Sequence, residues 1–316
     1  MPRLMVVDMN NQYLRAYIMN PSLSPNGQPI GGVVGTLKIM QKLCREINPD
    51  QIVVCWDGEG GSSKRKAMNK NYKDGRSPVR LNRDVRNLTE NEELANKIWQ
   101  QTRLAEYLNQ LPVIQFLYPH IEADDLISYV CQHTHYADWQ KVIVSSDKDF
   151  IQLIDNKTVL YRPIQEEVLN IKKVVEQYSI HPNNFVLARS ICGDSSDNIQ
   201  GIKGIGLATV AKRFPVLSES GSYNIDKLKE HCEQADGNVY SKISENIDVV
   251  KSNYKIMQLA SPQISIQTKV QINNILGTFK PELNQMEFKK MSIEDGFGVV
   301  DFSSLFSIMK KFIFNK

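Results

Sequence analysis

The sequence carries little that would mark export, a membrane span or a disulfide framework. Its five cysteines (Cys44, Cys55, Cys131, Cys192 and Cys232) are odd in number and form no Cys-x-x-Cys pair. They read as reduced intracellular thiols, mostly buried, with neither a zinc ribbon nor paired bridges. The five histidines are scattered, and His133 and His135 lie close together without partners at metal-binding spacing. No run approaches the roughly 18 apolar residues of a membrane span. The opening Met1-Pro2-Arg3 leads into Leu4–Val7, an apolar run ended by Asp8 and too short for a signal-peptide core, so a cytoplasmic protein is expected. Internal repeats and low-complexity tracts are missing too.

What is present is ordinary in amount and uneven in placement. The 316 residues are 41% hydrophobic and 23% charged, as in a folded domain large enough to carry an appendage. The net charge of +3 conceals a segregation. From Lys64 to Arg86 run Lys64, Arg65, Lys66, Lys70, Lys73, Arg76, Arg80, Arg83 and Arg86 against Asp74 and Asp84, a balance of +7 that leaves about −4 for the rest. Segregated positive charge points to a polyanionic partner.

Short Val/Ile-rich runs read as buried strands: Leu4–Val7, Ile52–Trp56, Val113–Leu117, Val142–Ser145 and Thr158–Tyr161. Helical patterns lie between them. One spans about Val33 to Ile47; another starts at Thr89, where Thr89 and Glu92 fit a capping box, with Leu94, Ile98, Leu104, Leu108 and Leu111 as its apolar positions. Alternating strands and helices predict an α/β fold, a mostly parallel sheet with helices on both faces. Residues 58–86 interrupt this texture with glycines and then basic residues. After about Asn183 small helices and Gly-containing turns predict a helical C-terminal portion, and Phe302 to Phe314 reads as a docked terminal helix or strand.

The acids fall where such a fold would gather them. Asp8 ends the first strand, Asp57 the second, and Asp147 and Asp149 follow a later one. In a parallel sheet those strands finish at one edge, where open α/β folds bind their ligands. Glu122, Asp124 and Asp125 sit at a predicted strand-to-helix junction that could aim all three inward, and Asp194 and Asp197 are spaced three apart as at a helix start. Nine clustered carboxylates repel one another unless cations hold them ionised. Hard oxygen donors suit Mg²⁺ or Mn²⁺, and two such ions about 4 Å apart can activate water and stabilise the leaving oxygen of a phosphodiester.

Gly201-Ile202-Lys203-Gly204-Ile205-Gly206-Leu207-Ala208-Thr209 reads as a tight turn opening a helix, whose amides could hold a phosphate. A dinucleotide loop is the competing reading, but Thr209 replaces the third glycine and no strand precedes it. Alongside a metal site, the basic excursion favours nucleic-acid contact over a merely solvated loop, with Tyr72 available for base stacking.

These residues resemble the flap endonuclease and 5′-nuclease superfamily, in the manner of phage 5′–3′ exonucleases, phage ribonuclease H and the 5′-nuclease domain of bacterial DNA polymerase I. The motifs are Glu122-Ala123-Asp124-Asp125, Ser146-Asp147-Lys148-Asp149, and Gly193-Asp194-Ser195-Ser196-Asp197-Asn198-Ile199 leading into Gly204-Ile205-Gly206. The resemblance covers roughly residues 1–215. It implies a PIN-like core over 1–182, with a basic arch at about 58–86. A helix-three-turn-helix DNA-binding element and a C-terminal helical region would occupy 183–316. It places Asp8, Asp57, Glu122 and Asp124 on or near a first Mg²⁺. Asp147, Asp149, Asp194 and Asp197 go to a second, with Asp125 close by and Mn²⁺ able to substitute. K⁺ is implied at the helix-three-turn-helix.

Tyr72-Lys73-Asp74-Gly75-Arg76 matches the family's arch signature, which gives Lys73 and Arg76 catalytic contacts to the scissile phosphate. Arg65, Tyr72, Lys203, Gly204, Gly206 and Thr209 become DNA contacts. The implied substrates are branched, flapped or nicked DNA and RNA–DNA hybrid, handled by a monomer away from membranes in a bacterial cell or phage-infected host. Replication proteins would bind the C-terminal region. Asp8-Met9-Asn10 departs from the family's small residue after the first aspartate, and the C-terminal third matches no pattern. Two rival readings are a haloacid-dehalogenase-like phosphatase, opposed by Asn10 in place of its second acid, and a non-catalytic structure-specific DNA-binding protein, opposed by the intact acids and Lys73.

Overall fold

A computed structural model describes residues 1–76, 79–85, 88–298 and 300–314, with the side chains of Arg83 and Phe314 excepted. Arg86 of the basic run lies outside the described residues.

The apolar runs form the expected strands: β1 (Arg3–Asp8), β2 (Gln51–Cys55), β3 (Ile114–Phe116), β4 (Gln140–Val144) and β5 (Thr158–Arg162). A further strand, β6 (Glu167–Leu169), completes a sheet of order β3-β2-β1-β4-β5-β6, parallel except for the β5–β6 pair. After β3 the chain returns to the opposite side of β1, so the strand order reverses between β1 and β4. Open α/β sheets place their crevice at such a switch point.

Side chains alternate across the sheet, and each face carries its own core. Leu4, Val6, Val53 and Ile143 face one cluster, while Met5, Val7, Val54 and Val142 face the other. The second cluster is covered by α1 (Met9–Met19), α2 (Gly31–Ile47) and α4 (Glu90–Asn109), with the short α3 (Ser63–Met68) lying between α2 and α4 in sequence. On the first cluster pack α5 (Ala123–Gln132), α6 (Ile171–Tyr178), α7 (Pro182–Cys192), α8 (Leu207–Arg213), α9 (Ile225–Gln234), α10 (Asn238–Glu245), α11 (Ile247–Met257) and α12 (Ile266–Thr278). The last two helices, α13 (Gln285–Glu294) and α14 (Ser303–Phe314), cross back to the α2 side. There Phe288, Leu305 and Met309 enter the second core, so the helices after residue 183 serve both faces of the sheet.

Helix α4 has the expected capping box at Thr89 and Glu92, yet its N-terminal half is inverted relative to the apolar pattern. Leu94 and Ile98 are half exposed, and Glu93, Asn96 and Gln100 are buried instead. The cause is backbone satisfaction. Gln100 Oε1 accepts from Val33 N (3.1 Å) in the first turn of α2, Asn96 Nδ2 donates to Pro29 O (3.0 Å), and Glu93 receives Leu81 N and Arg80 Nε. Buried amides that serve otherwise unpaired backbone groups outweigh the apolar surface left outside.

All five cysteines are free. Asp194 and Asp197 lie in a small hairpin of β7 (Gly193–Asp194) and β8 (Ile199–Gln200), not at a helix start. Gly201 closes this hairpin where a Cβ would come within 1.9 Å of Cys192 O, whereas a Cβ at Gly206, the residue capping α8, meets nothing within 4 Å. Gly201→Ala is therefore expected to cost at least about 1–3 kcal/mol of unfolding free energy, and Gly206→Ala less than about 1 kcal/mol. Urea titrations of the two variants would check this; equal midpoints would contradict the close approach.

Candidate active site

The acids gather at the C-terminal edge of the sheet by four local devices. Asp8 ends β1 and caps α1, its carboxylate accepting from Asn11 N (3.1 Å) and from Ser145 Oγ (2.8 Å) at the end of β4. Asp57, past β2, accepts from Ala123 N (2.8 Å) and Asn10 Nδ2 (2.7 Å), which ties the second strand to the start of α5. Glu122 is the residue preceding α5, in extended conformation, so Asp124 and Asp125 occupy the first helical turn beside it. Asp147 caps a short 3₁₀ helix, Lys148–Leu153, by accepting from Asp149 N (2.8 Å).

Burial and mutual repulsion strain this group electrostatically. Loss of solvent, with Asp57 next in weight, pushes the Asp8 carboxyl up to about 7. The same two effects, burial and then the neighbouring Asp147, push Asp149 up to about 7, and burial holds Asp124 well above the usual carboxylate range. Glu122 moves the other way: burial would raise it, but Lys73 and Arg65 outweigh burial and hold it low. Asp194 is likewise held low against burial, by Ser196 and Arg189.

The counter-charges come largely from the basic segment, which folds down onto the acids. Arg65 and Lys73 both pair with Glu122, and Arg76 pairs with Asp197 while donating from Nε to Ser196 O (3.1 Å). Backbone contacts fasten the strap to the β7–β8 hairpin: Lys73 N donates to Asp197 O (2.8 Å) and Asn198 Nδ2 to Asn71 O (3.0 Å). Tyr72 is 3% exposed, packed against Val186, Ile199, Ile256 and Met257, and so is not available for base stacking in this conformation. Arg65 is also 3% exposed, where the sequence suggested a DNA-facing arginine. A residue the sequence did not single out, Arg189 of α7, bridges Asp149 (3.1 Å) and Asp194. Its place one helix turn before Gly193-Asp194 was the available signal.

Among the described residues no three acids, histidines or cysteines stand close enough together to cage an ion, and strap cations and Arg189 pair with several of the acids. The donor set nevertheless fits a hard divalent cation: it is all oxygen, and burial holds Asp8, Asp124 and Asp149 above the usual carboxylate range despite the cations near the last two. The glycine turn lies beyond the hairpin. Lys203, Gly204 and Gly206 are exposed, Thr209 is half-buried, and Gly204 takes a positive φ of 82°.

The fold and site thus define an α/β protein with a doubly covered, largely parallel sheet, acids gathered at its switch point and a basic strap across them. A model of the 5′–3′ exonuclease N-terminal resolvase-like domain matches residues 3–179. The 5′–3′ exonuclease of Buchnera aphidicola subsp. Schizaphis graminum is 28% identical over 299 residues, spanning 92% of this chain and 94% of that protein. Flap endonuclease Xni of Shewanella sp. (strain MR-4) is 30% identical over 239 residues, spanning 76% and 81%. The bacteriophage T5 D15 flap endonuclease, solved in a pseudo-enzyme-product complex with DNA and metal ions, superposes with a TM-score of 0.63 at 18% identity, over 98% of this chain and 99% of that one. The chain belongs to the 5′–3′ exonuclease family, within the flap endonuclease and 5′-nuclease superfamily. It is accordingly a metal-dependent, structure-specific 5′ nuclease.

The raised carboxyls carry a sign for stability. Asp8 and Asp149 hold protons in the folded state between about pH 4 and 7 that the unfolded chain has already released, so their contribution falls as pH rises through that window. The depressed Glu122 and Asp194 act only below it, their stabilisation being lost as pH drops under the ordinary carboxylate range. Without divalent ions the thermal midpoint should therefore fall between pH 5.5 and 7.5, and added Mg²⁺ should raise it more at pH 7.5 than at pH 5.5. Scanning fluorimetry at both values decides; an Mg²⁺ effect independent of pH would contradict the charge deficit.

Proposed function

We propose that this nuclease cuts near the 5′ ends of branched, flapped or nicked DNA and of RNA–DNA hybrid, using two Mg²⁺ ions for which Mn²⁺ can substitute. The observation that carries the reading is the meeting of charge-deficient buried acids and strap cations at the switch point of the sheet. Asp8, Asp57, Glu122 and Asp124 would hold one ion, and Asp147, Asp149, Asp194 and Asp197 the other. Bound there, the ions supply charge that activates water and steadies the leaving oxygen in an in-line displacement.

The protein's own part is positioning. The residues that now neutralise the acids, Lys73 on Glu122 and Arg76 on Asp197, are the two assigned to the scissile phosphate. With the acids held by divalent ions, both cations would be free to meet phosphate oxygens, where they would stabilise charge that grows during attack. The hairpin contacts of the strap keep them beside the crevice. The turn at Lys203, Gly204, Gly206 and Thr209, with K⁺ among its backbone carbonyls, would grip the duplex at a distance from the cut. Removal of RNA primers or flaps during replication in the cytoplasm, by a monomer whose C-terminal region meets replication proteins, is the corresponding cellular role.

Two experiments test these assignments. A labelled 5′-flap substrate should be cleaved with Mg²⁺ or Mn²⁺ and not in excess chelator. Asp147→Asn and Asp149→Asn should abolish cleavage while keeping the fold, since an asparagine at 147 can still cap the 3₁₀ helix and one at 149 can still accept from Arg189. Full cleavage in chelator would overturn the metal reading. Clamp and cutting cation then separate kinetically. Lys203→Ala should weaken duplex binding and reduce its log–log salt slope by about 0.9, with near-normal single-turnover rates at saturating enzyme. Lys73→Ala should lower that rate far more than the affinity. Equal losses of saturated rate with unchanged binding would refute the division.

A further inference from the structure

Arg65 stands apart from the other cations of the basic strap. The residue is 3% exposed, and its guanidinium reaches two other segments of the chain, the end of α11 and the start of α5. Nε donates to Ile256 O at 3.0 Å, in the last turn of α11. Nη1 and Nη2 grip Asp125 as a fork, at 2.7 and 3.3 Å. Nη1 also pairs with Oε2 of Glu122. A guanidinium presents its donors in a fixed plane, so one such group can set the relative position of two carboxylates where an ammonium could not.

The oxygens of the two acids are used differently. Both oxygens of Asp125 are taken, because Oδ1 also accepts from Gln263 N at 2.8 Å. Glu122 is held by Arg65 through Oε2, while its Oε1 faces Lys73. The Lys73 side chain is 19% exposed and that of Arg65 4%, so Lys73 is the partner with access to solvent and Arg65 the one locked inside. Of the two oxygens, Oε1 is therefore the one with a partner that could give way, while Arg65 holds the other.

We propose that Arg65 and Asp125 form a positioning pair: Arg65 orients Glu122 toward the ion and does not touch DNA, and Asp125 anchors Arg65 and does not ligate metal. The pair also couples the site to the C-terminal third of the chain, since Ile256 and Gln263 supply the other two anchors. This rests on the metal reading of the site given above.

The test is Mn²⁺ binding to the full-length chain, followed by the spin-resonance signal of the free ion, alongside 5′-flap binding in chelator by anisotropy. Partners that orient a metal ligand typically contribute 10–100-fold in metal affinity. Arg65→Gln should weaken Mn²⁺ binding by that factor at unchanged stoichiometry, and leave flap affinity and its salt slope in chelator as in the wild type. Arg65→Lys, keeping the charge without the fork, should recover only part of the loss. Asp125→Asn, which can still accept from Gln263 N, is the milder variant should Arg65→Gln misfold; it should keep the full number of Mn²⁺ sites, whereas Asp124→Asn should lose one. A salt slope reduced by about 0.9 in Arg65→Gln with an unchanged Mn²⁺ isotherm would make Arg65 a phosphate contact. Loss of a whole site in Asp125→Asn would make Asp125 a ligand. Either result overturns the pairing while the nuclease reading stands. A wild type that binds no Mn²⁺ would bring down the metal reading, and the pairing with it.

Discussion

The structure depends on a crowd of carboxylates brought out of water at one edge of a sheet. Burial raises the cost of each negative charge, and neighbours such as Asp57 beside Asp8, or Asp147 beside Asp149, raise it further. Such a group persists only if something positive lies within reach. Here the protein provides its own cations, Arg65, Lys73 and Arg76 from the strap and Arg189 from α7. The fold of residues 58–76 is in that sense dictated by the acids it covers.

That arrangement would give the strap cations two partners in turn under the proposed mechanism. Against the acids they are internal counter-ions; against a substrate they would become phosphate ligands. The strap that carries Lys73 and Arg76 is already pinned to the hairpin that carries Asp194 and Asp197. Arg65 differs because its fork is filled by Asp125 and Glu122 and its remaining edge by a backbone carbonyl. A basic run that looks uniform in sequence thus divides into cations with access to solvent, Lys73 and Arg76, and one locked inside, Arg65.

Much of the site was legible beforehand. Strand-end positions identified Asp8, Asp57, Asp147 and Asp149, because residues ending parallel strands must emerge at a common edge. Glu122 and Asp124 were readable from the junction with α5, and the capping box from Thr89 and Glu92. The inversion of α4 was not, since apolar spacing cannot reveal that Asn96 and Gln100 are needed inside to serve the backbone of another helix. Arg189 escaped notice for a related reason: its place one helix turn before Asp194 hints at one partner, but only the fold brings Asp149 to its other side. The hairpin at Asp194 and Asp197 imitates a helix start because both use short polar residues at similar spacing.

By itself the sequence determined the alternating α/β order, the edge at which the acids collect and the family, because periodicity and motif order are local or nearly local properties. The tertiary structure decided the rest. Whether a cation faces solvent, substrate or a buried carboxylate depends on contacts between segments far apart in the chain, as Arg65 shows with Glu122, Asp125 and Ile256. Hydrophobic spacing also left open which face each late helix would cover, and α13 and α14 settle on the α2 side because Phe288, Leu305 and Met309 find an unfilled core there.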